Sequence, residues 1–388
     1  MIIAMSPGNY YTKRILDLKA ILKNKSCFLF GPRQTGKTFL IKNNLPKYRR
    51  YDLLDTEVFL KLSQYPKILE EEIQAKDKII IIDEIQLLPS LLNEVHRLIE
   101  DYNINFLLTG SSARNLRKKG VNLLGGRARS RSLLPFIYIE LQKKFDFKKA
   151  LTIGLIPSIY FSDAPFEDLK SYTGNYLKEE IIAEGATRNV PSFTRFLEIA
   201  ALSNGSIINY TKIANDSQVA RTTVQEYFQI LKDTLIAYEV PAFKQKISRK
   251  TISTAKYYFF DIGVARFLQH QRDLVEKSID FGRAFEAYIA HELKAYTEYN
   301  QLEPLTYWRS VLGHEVDFIL DNKIAIEVKA KKNISKQELK GLFQLKKEKI
   351  LKKHIVITLD NASRNIEGIE ILPWQTFLDN LWNNKILK

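Results

Sequence analysis

Short apolar runs punctuate the first third of the chain, and stretches with helical periodicity separate them. Residues 26–30, 49–54, 78–82, 105–110 and 129–134 read as strands, and 12–24, 37–44, 56–74, 90–102 and 112–119 as helices. Four consecutive isoleucines, Ile79 to Ile82, suit a strand buried on both faces. Strict strand–helix alternation predicts a parallel sheet covered by helices on both sides.

The rhythm changes near residue 140. Residues 140–190 read as mostly helical, with turns at Gly154–Pro157 and at Ala164-Pro165. Three helices follow, Phe193–Leu202, Tyr210–Asn215 and Arg221–Thr234. The last has Val224, Tyr227, Phe228 and Leu231 at core spacing. Strand-like runs 238–244 and 255–260 then flank a basic loop, Lys244 to Lys250. Three helices and a hairpin read as a winged helix. In its DNA-binding form Arg221, Thr222, Thr223 and Gln225 face bases or phosphates; in its other form it is a packing module.

Beyond Phe281 the pattern predicts a helix (282–299), strands at 305–309, 314–320 and 323–329, a helix (335–347) and a strand (354–358). Alternation fixes the hairpin register. A two-residue loop would pair Asp317 with Ile326 and mix apolar with charged faces. An odd loop centred on Asn322 pairs Asp317 with Glu327, Glu315 with Lys329 and Phe318 with Ile326, leaving one face apolar and one charged. An odd turn is therefore expected.

Chemistry enters at Gly31-Pro32-Arg33-Gln34-Thr35-Gly36-Lys37-Thr38, a phosphate-binding loop between a strand and a helix. Its backbone amides and the helix N-terminus face a triphosphate, which points to ATP. Lys37 reaches the β- and γ-oxygens and Thr38 ligates Mg²⁺. Asp83 and Glu84 end the isoleucine strand, where open α/β sheets bind ligands. Asp83 is expected in the Mg²⁺ shell and Glu84 as the group that polarises water. Either Thr109 or Ser111, ending the next strand, senses the γ-phosphate.

The carboxyl-terminal hairpin carries a second set. Two carboxylates within ~4 Å repel by roughly 4 kcal/mol at an effective dielectric of about 20, so a cation must offset them. Lys329 is one source; Mg²⁺ or Mn²⁺ held by Asp317 and Glu327, with Glu286 completing the shell, is the other. Asp317, Glu327 and Lys329 are the candidate catalytic groups for cutting a phosphodiester.

The chain has 388 residues, enough for several cores, and a net charge of +15. Residues 110–150 hold eleven Lys/Arg against two Asp/Glu, and 188–260 hold ten against five. Basic charge so concentrated favours a polyanion, with DNA preferred, and predicts binding that weakens steeply with salt. One cysteine, Cys27, excludes an intrachain disulfide and fits a reducing, cytoplasmic setting. Nothing at the start reads as a secretory leader, and no apolar run is long enough to span a membrane.

The chain resembles AAA+ family ATPases that bear a C-terminal domain of unknown function related to PD-(D/E)xK nucleases. The resemblance rests on GPRQTGKT (31–38), IIIIDEIQLLP (80–89 and the residue before), LLTGSS (107–112), GGR (125–127), and GRAFE, HEVDF and IEVKA near the end. It covers roughly residues 12–380. Val316 replaces the proline of the nuclease motif's name. The implied fold class is α/β: a P-loop NTPase (AAA+) parallel sheet over 1–138, a helical lid over 139–190, a winged helix over 191–265 and a PD-(D/E)xK nuclease-like domain over 266–388. It implies ATP hydrolysis, a homo-oligomer and Arg127 as an arginine finger toward a neighbouring subunit, with Arg114 and Arg188 behind it. A turn-capping or nucleic-acid role for Arg127 stands equally open. The function expected is an ATPase acting on nucleic acid and coupled to a metal-dependent nuclease; the alternative is an ATP-driven switch or DNA-binding regulator that does not cleave.

Overall fold

In a computed structural model, residues 12–112, 114, 116, 124–176, 189–244 and 254–387 are described. The chain divides into two compact units, Met1–Phe145 and Asp146–Lys388.

The first unit is built on β1 (Ser26–Phe30), β2 (Arg49–Asp52), β3 (Ile79–Asp83), β4 (Asn105–Gly110) and β5 (Ala128–Ser132). They lie in the order β2-β3-β4-β1-β5, every neighbouring pair parallel. All five residues of β1 and of β3 are buried, as the unbroken apolar runs require. β4 sits between the loop-bearing strand and the acidic strand. Two helices are shorter than periodicity predicts. The leading helix spans only Leu18–Leu22, because the Asp17 carboxylate accepts from the Lys19 and Ala20 amides and starts the helix there. The 56–74 stretch divides into Thr56–Gln64 and Ile68–Glu71 around Tyr65-Pro66, where proline offers no amide and crowds the preceding turn. The expected helix at 112–119 falls largely outside the described residues.

In the second unit, helices Phe147–Ile153, Pro157–Tyr160 and Pro165–Ser171 precede Val190–Leu202, Tyr210–Ser217 and Arg221–Asp233. An antiparallel ribbon of β6 (Ala237–Val240) and β7 (Lys256–Phe259) follows, then helix Ile262–Leu268. Ile153, Ile159 and Leu169 share one core with Phe196, Phe228, Leu231 and Val264. The segment expected to form a separate lid is thus continuous with the three-helix segment. The basic loop between the ribbon strands, from 245, lies outside the described residues, as does Arg188.

The remaining strands are β8 (Thr306–Arg309), β9 (Glu315–Leu320), β10 (Ile324–Lys329), β11 (Lys353–Thr358), β12 (Arg364–Ile366) and β13 (Ile369–Pro373), ordered β12-β13-β11-β10-β9-β8. Helix Ile279–Asn300 precedes them. Leu320 pairs with Ile324 and Phe318 with Ile326, so the loop is the odd one, Asp321-Asn322-Lys323. Asp321 and Asn322 adopt φ of 50° and 52°, a conformation Asp and Asn tolerate. β12, β13 and the last helix, Trp374–Trp382, complete the sheet beyond the elements expected from periodicity.

Candidate functional site

Parallel pairing sets Phe30 beside Gly110 and Ile82 beside Leu108, so β1, β3 and β4 all end at one sheet edge. The phosphate-binding loop leaves that edge from β1. Gly36, at φ 93°, turns the chain into helix Lys37–Asn44, a conformation a side chain would strain. Gln34, at φ 62°, adopts the same region without being glycine. The Thr35 hydroxyl donates to the Pro32 carbonyl at 2.8 Å. The Lys37 amine donates to the Gly31 and Pro32 carbonyls at 2.5 and 3.2 Å. Arg33 and Gln34 are exposed at the rim, and Thr38 is half-buried one residue into the helix.

Asp83 and Glu84 stand at the end of β3, both buried. The Thr109 hydroxyl donates to Asp83 and accepts from the Glu84 amide, the latter at 3.2 Å. Ser111 donates to the Glu84 carboxylate at 3.4 Å. Of the two hydroxyls weighed as sensors, Thr109 therefore fixes Asp83 and Ser111 lies beside Glu84. Glu84 itself is held at φ 59°.

Three further groups were given no role from the sequence, although Gln86 lies within IIIIDEIQLLP. Gln86 donates to Glu84 and, at 3.1 Å, to Ser111. Arg50 of β2 pairs with Asp83 at 2.6 Å and Asp52 at 2.8 Å. Arg14 donates to the Thr35 carbonyl at 2.6 Å and the Leu134 carbonyl at 2.5 Å, and pairs with buried Glu140 at 2.9 Å. It buttresses the loop from behind. A hydrophobic-and-motif reading has no means of finding an arginine whose charged partner, Glu140, lies more than a hundred residues away. Arg127 precedes β5, at the end of the sheet opposite the loop, and pairs with Glu100. The structure does not bring it to this chain's own loop. Burial pushes the Cys27 thiol up to about 12, which leaves it unreactive.

In the second unit the hairpin register puts Asp317 and Glu327 on one face. The ladder stops at Phe318 and Ile326, and the next amide, Val328 N, donates instead to the Asp317 carboxylate at 2.8 Å. Lys329 donates to Glu327 Oε1 at 2.6 Å, while Glu327 Oε2 is buried with no hydrogen-bond partner among the described residues. Glu286, from helix Ile279–Asn300, accepts from the Tyr258 hydroxyl at 2.7 Å. Lys256, at the start of β7, reaches Glu315 at 2.7 Å, Glu286 at 3.7 Å and Asp317 at 3.9 Å.

Burial, and then the negative charge of Asp317, pushes the Glu286 and Glu327 carboxyls up from their ordinary range. Burial lowers Lys256, but attraction to Glu286, Asp317 and Glu315 outweighs it and raises the ammonium. Oxygen donors of this kind suit Mg²⁺ or Mn²⁺ in type. Their arrangement departs from the expected metal shell of Glu286, Asp317 and Glu327. Two lysines already stand on these carboxylates, and among the described residues no three acidic, histidine or cysteine groups are placed to hold a metal.

On the middle segment, Arg221, Thr222 and Gln225 are exposed along the third helix and Thr223 is half-buried. No helix among the described residues is long and apolar enough to cross a membrane.

Residues 23–142 match the family described as an AAA domain. Residues 144–274 and 281–377 match two families described as domains of unknown function, DUF8612 and DUF4143. An uncharacterized protein of Methanocaldococcus jannaschii is 24% identical over 410 residues, spanning 93% of this chain and 90% of its own. Another, of Mycobacterium tuberculosis, is 24% identical over 315 residues, spanning 78% of this chain and 69% of its own. Among solved structures, the Aeropyrum pernix ORC1 protein in complex with DNA is 14% identical with a TM-score of 0.27, over 66% of this chain and 89% of that one. So low a score is no basis for a shared fold or role. The AAA domain match, together with the loop and acidic strand, supports an AAA-type ATPase domain that binds ATP.

Proposed function

We propose that this chain hydrolyses ATP at the β1–β3–β4 edge and uses the cycle on nucleic acid, with the carboxyl-terminal cluster a nuclease-like site under its control. The observation that supports this most is β4 lying between β1 and β3. It sets the loop, Asp83, Glu84 and Ser111 along one edge. The loop amides and Lys37 bind the β- and γ-phosphates. Glu84, oriented by Gln86 and Ser111, takes the proton of the water that adds to the γ-phosphorus as the bond to ADP breaks. Thr38 and Asp83 have the oxygen chemistry to hold Mg²⁺, which when bound neutralises phosphate charge.

The basic segments 110–150 and 188–260 are the nucleic-acid surface in this reading, DNA first. The middle three helices and ribbon act as a winged helix. Homo-oligomerisation would be needed for Arg127 to serve a neighbour's nucleotide. Asp317, Glu327 and Lys329 are the nuclease-like groups, but the lysine-filled arrangement does not fit a metal as it stands, and no cleavage step is derived through one. That same observation favours a second reading, an ATP-driven switch or DNA-binding regulator that does not cut.

ATPase and nuclease assays on one preparation, across DNA and RNA forms with and without Mn²⁺, separate these. ATP turnover lost in Lys37→Ala is the expected result, and cutting that is lost in Lys329→Ala while turnover survives would support the nuclease-like site. Turnover without any cutting leaves the switch. Full turnover in Lys37→Ala removes the ATPase assignment.

A further inference from the structure

We propose that Lys256 is the resident cation of the carboxyl-terminal acidic cleft, delivered by the middle module and occupying the position a divalent metal would need. The inference rests on the nuclease-like reading of that cluster.

The delivery is anchored on both sides of Lys256. Segment 241–243, which continues from β6, is bonded to β8: the Phe243 amide donates to the Tyr307 carbonyl at 2.8 Å, and the Tyr307 amide to the Pro241 carbonyl at 3.0 Å. The Tyr307 hydroxyl donates to the Thr254 carbonyl, two residues before Lys256. The lysine stem passes the Tyr307 ring, with the amine 5.4 Å from its centroid. The amine ends among Glu315, Glu286 and Asp317, and the residue is 2% exposed. Tyr258 lies on the same face of β7, two residues on. It donates to Glu286 and sets its ring 5.9 Å from that of Phe318.

The charges explain what this does. Four carboxylates, Glu286, Glu315, Asp317 and Glu327, face Lys256, Lys329 and Arg309, the last 3.4 Å from Glu315. The cleft is nearly neutralised by its own side chains. A divalent ion on Asp317 and Glu286 would lie against a buried ammonium, and like charges at that range repel. Metal entry and Lys256 insertion therefore exclude one another. A cavity of about 260 Å³, lined by Lys256, Tyr258, Arg283, Glu286, Arg309 and Glu315, adjoins the amine and gives it room to withdraw. Whatever shifts the middle module decides which cation the cleft holds.

The test is Mn²⁺ binding to the full chain without nucleotide, read by the electron paramagnetic resonance of free Mn²⁺. Asp317→Asn identifies the portion due to the cleft. Lys256→Met and Lys256→Gln are expected to tighten that portion about tenfold or more, with the gain abolished by adding Asp317→Asn. Equal, measurable binding in wild type and both variants overturns the proposal and leaves the nuclease-like reading standing. No Asp317-dependent binding in any of them overturns both. Should the variants fail to fold, acylation of Lys256 in the wild-type protein replaces them. Protection from an amine reagent that Mn²⁺ relieves is expected, and protection indifferent to Mn²⁺ overturns the proposal.

Discussion

Asp83 and Glu84 are held by groups of their own sheet: hydroxyls at the end of β4, a glutamine two residues on, and an arginine from β2. Glu286, Glu315 and Asp317 share a lysine from another module, whereas the partners from their own sheet are the Val328 amide on Asp317, Arg309 on Glu315 and Lys329 on Glu327. The first arrangement is complete once five strands pair. The second needs the ribbon docked on β8 before its charges balance. Short range makes the ATP edge robust and legible. Long range makes the carboxyl-terminal cluster conditional, which suits a site that is to be controlled.

The largest expected effects test whether the two regions are separable. Lys37→Ala should lower ATP turnover by on the order of 10³, and Glu84→Gln by a similar factor while leaving nucleotide binding intact. Stopped-flow binding of a fluorescent nucleotide beside steady-state phosphate release distinguishes the two. Neither substitution should alter Asp317-dependent Mn²⁺ binding without nucleotide. A change there would mean the regions are coupled even at rest, and the contrast drawn above would fail.

Arg14→Ala is next in size. Removing one partner of a buried ion pair typically costs about 3–5 kcal/mol, because Glu140 is left uncompensated. The side chains of Arg14 and Glu140 are 3% and 1% exposed. Chemical denaturation should show the loss in the unfolding of the first unit, with ATP affinity falling as the Thr35 carbonyl loses its anchor. Unchanged stability would show that the loop is not buttressed from behind.

How much of this the residues announced follows the same divide. The loop, Asp83, Glu84 and the β1, β3 and β4 strands are contiguous runs whose chemistry is local, so they were legible. The hairpin register was legible too, because only an odd loop separates apolar from charged faces, and Phe318 does face Ile326. Arg14, Arg50, Gln86 and Lys256 were not. Arg14, Arg50 and Lys256 are lone polar residues whose meaning lies in a tertiary partner, and Gln86, though inside a quoted run, takes its meaning from Glu84 and Ser111 together; periodicity encodes faces rather than partners. Helix lengths failed at Asp17 and Pro66, where a cap and a proline override an apolar rhythm.

Acid should separate the regions as well. His354 of β11 is buried in the carboxyl-terminal sheet, and burial, followed by the charge of Lys346, lowers it to about 4. An unfolded histidine takes up its proton near pH 6.5. Stability is therefore full above about 6.5 and is lost as the pH falls toward about 4, by up to about 3 kcal/mol from this group alone. Glu286 and Glu327, raised by burial, act in the opposite direction over the same range, so the histidine is read by difference: the stability of wild type minus that of His354→Leu should fall as the pH drops from about 6.5 toward about 4. A difference that stays constant over that window would contradict the burial.

Arg50→Ala gives the smallest effect and compares the two regions' cations most directly. Arg50 pairs with Asp83 much as Lys256 pairs with Glu315, but its side chain is 22% exposed where that of Lys256 is 3%. Water can replace much of what Arg50 supplies, and the Thr109 hydroxyl still fixes Asp83. The expected cost is about 1 kcal/mol of stability, read as a shift of about 2–4 °C in Tm, with ATP turnover within a few-fold of wild type. Lys256→Met should cost more, since it leaves Glu286, Glu315 and Asp317 repelling one another in a buried cleft. If Arg50→Ala instead abolishes turnover, Arg50 contacts the phosphates and belongs to the ATP machinery. The ATP edge would then also depend on a residue that no motif announces, and the two regions would differ less than their geometry implies.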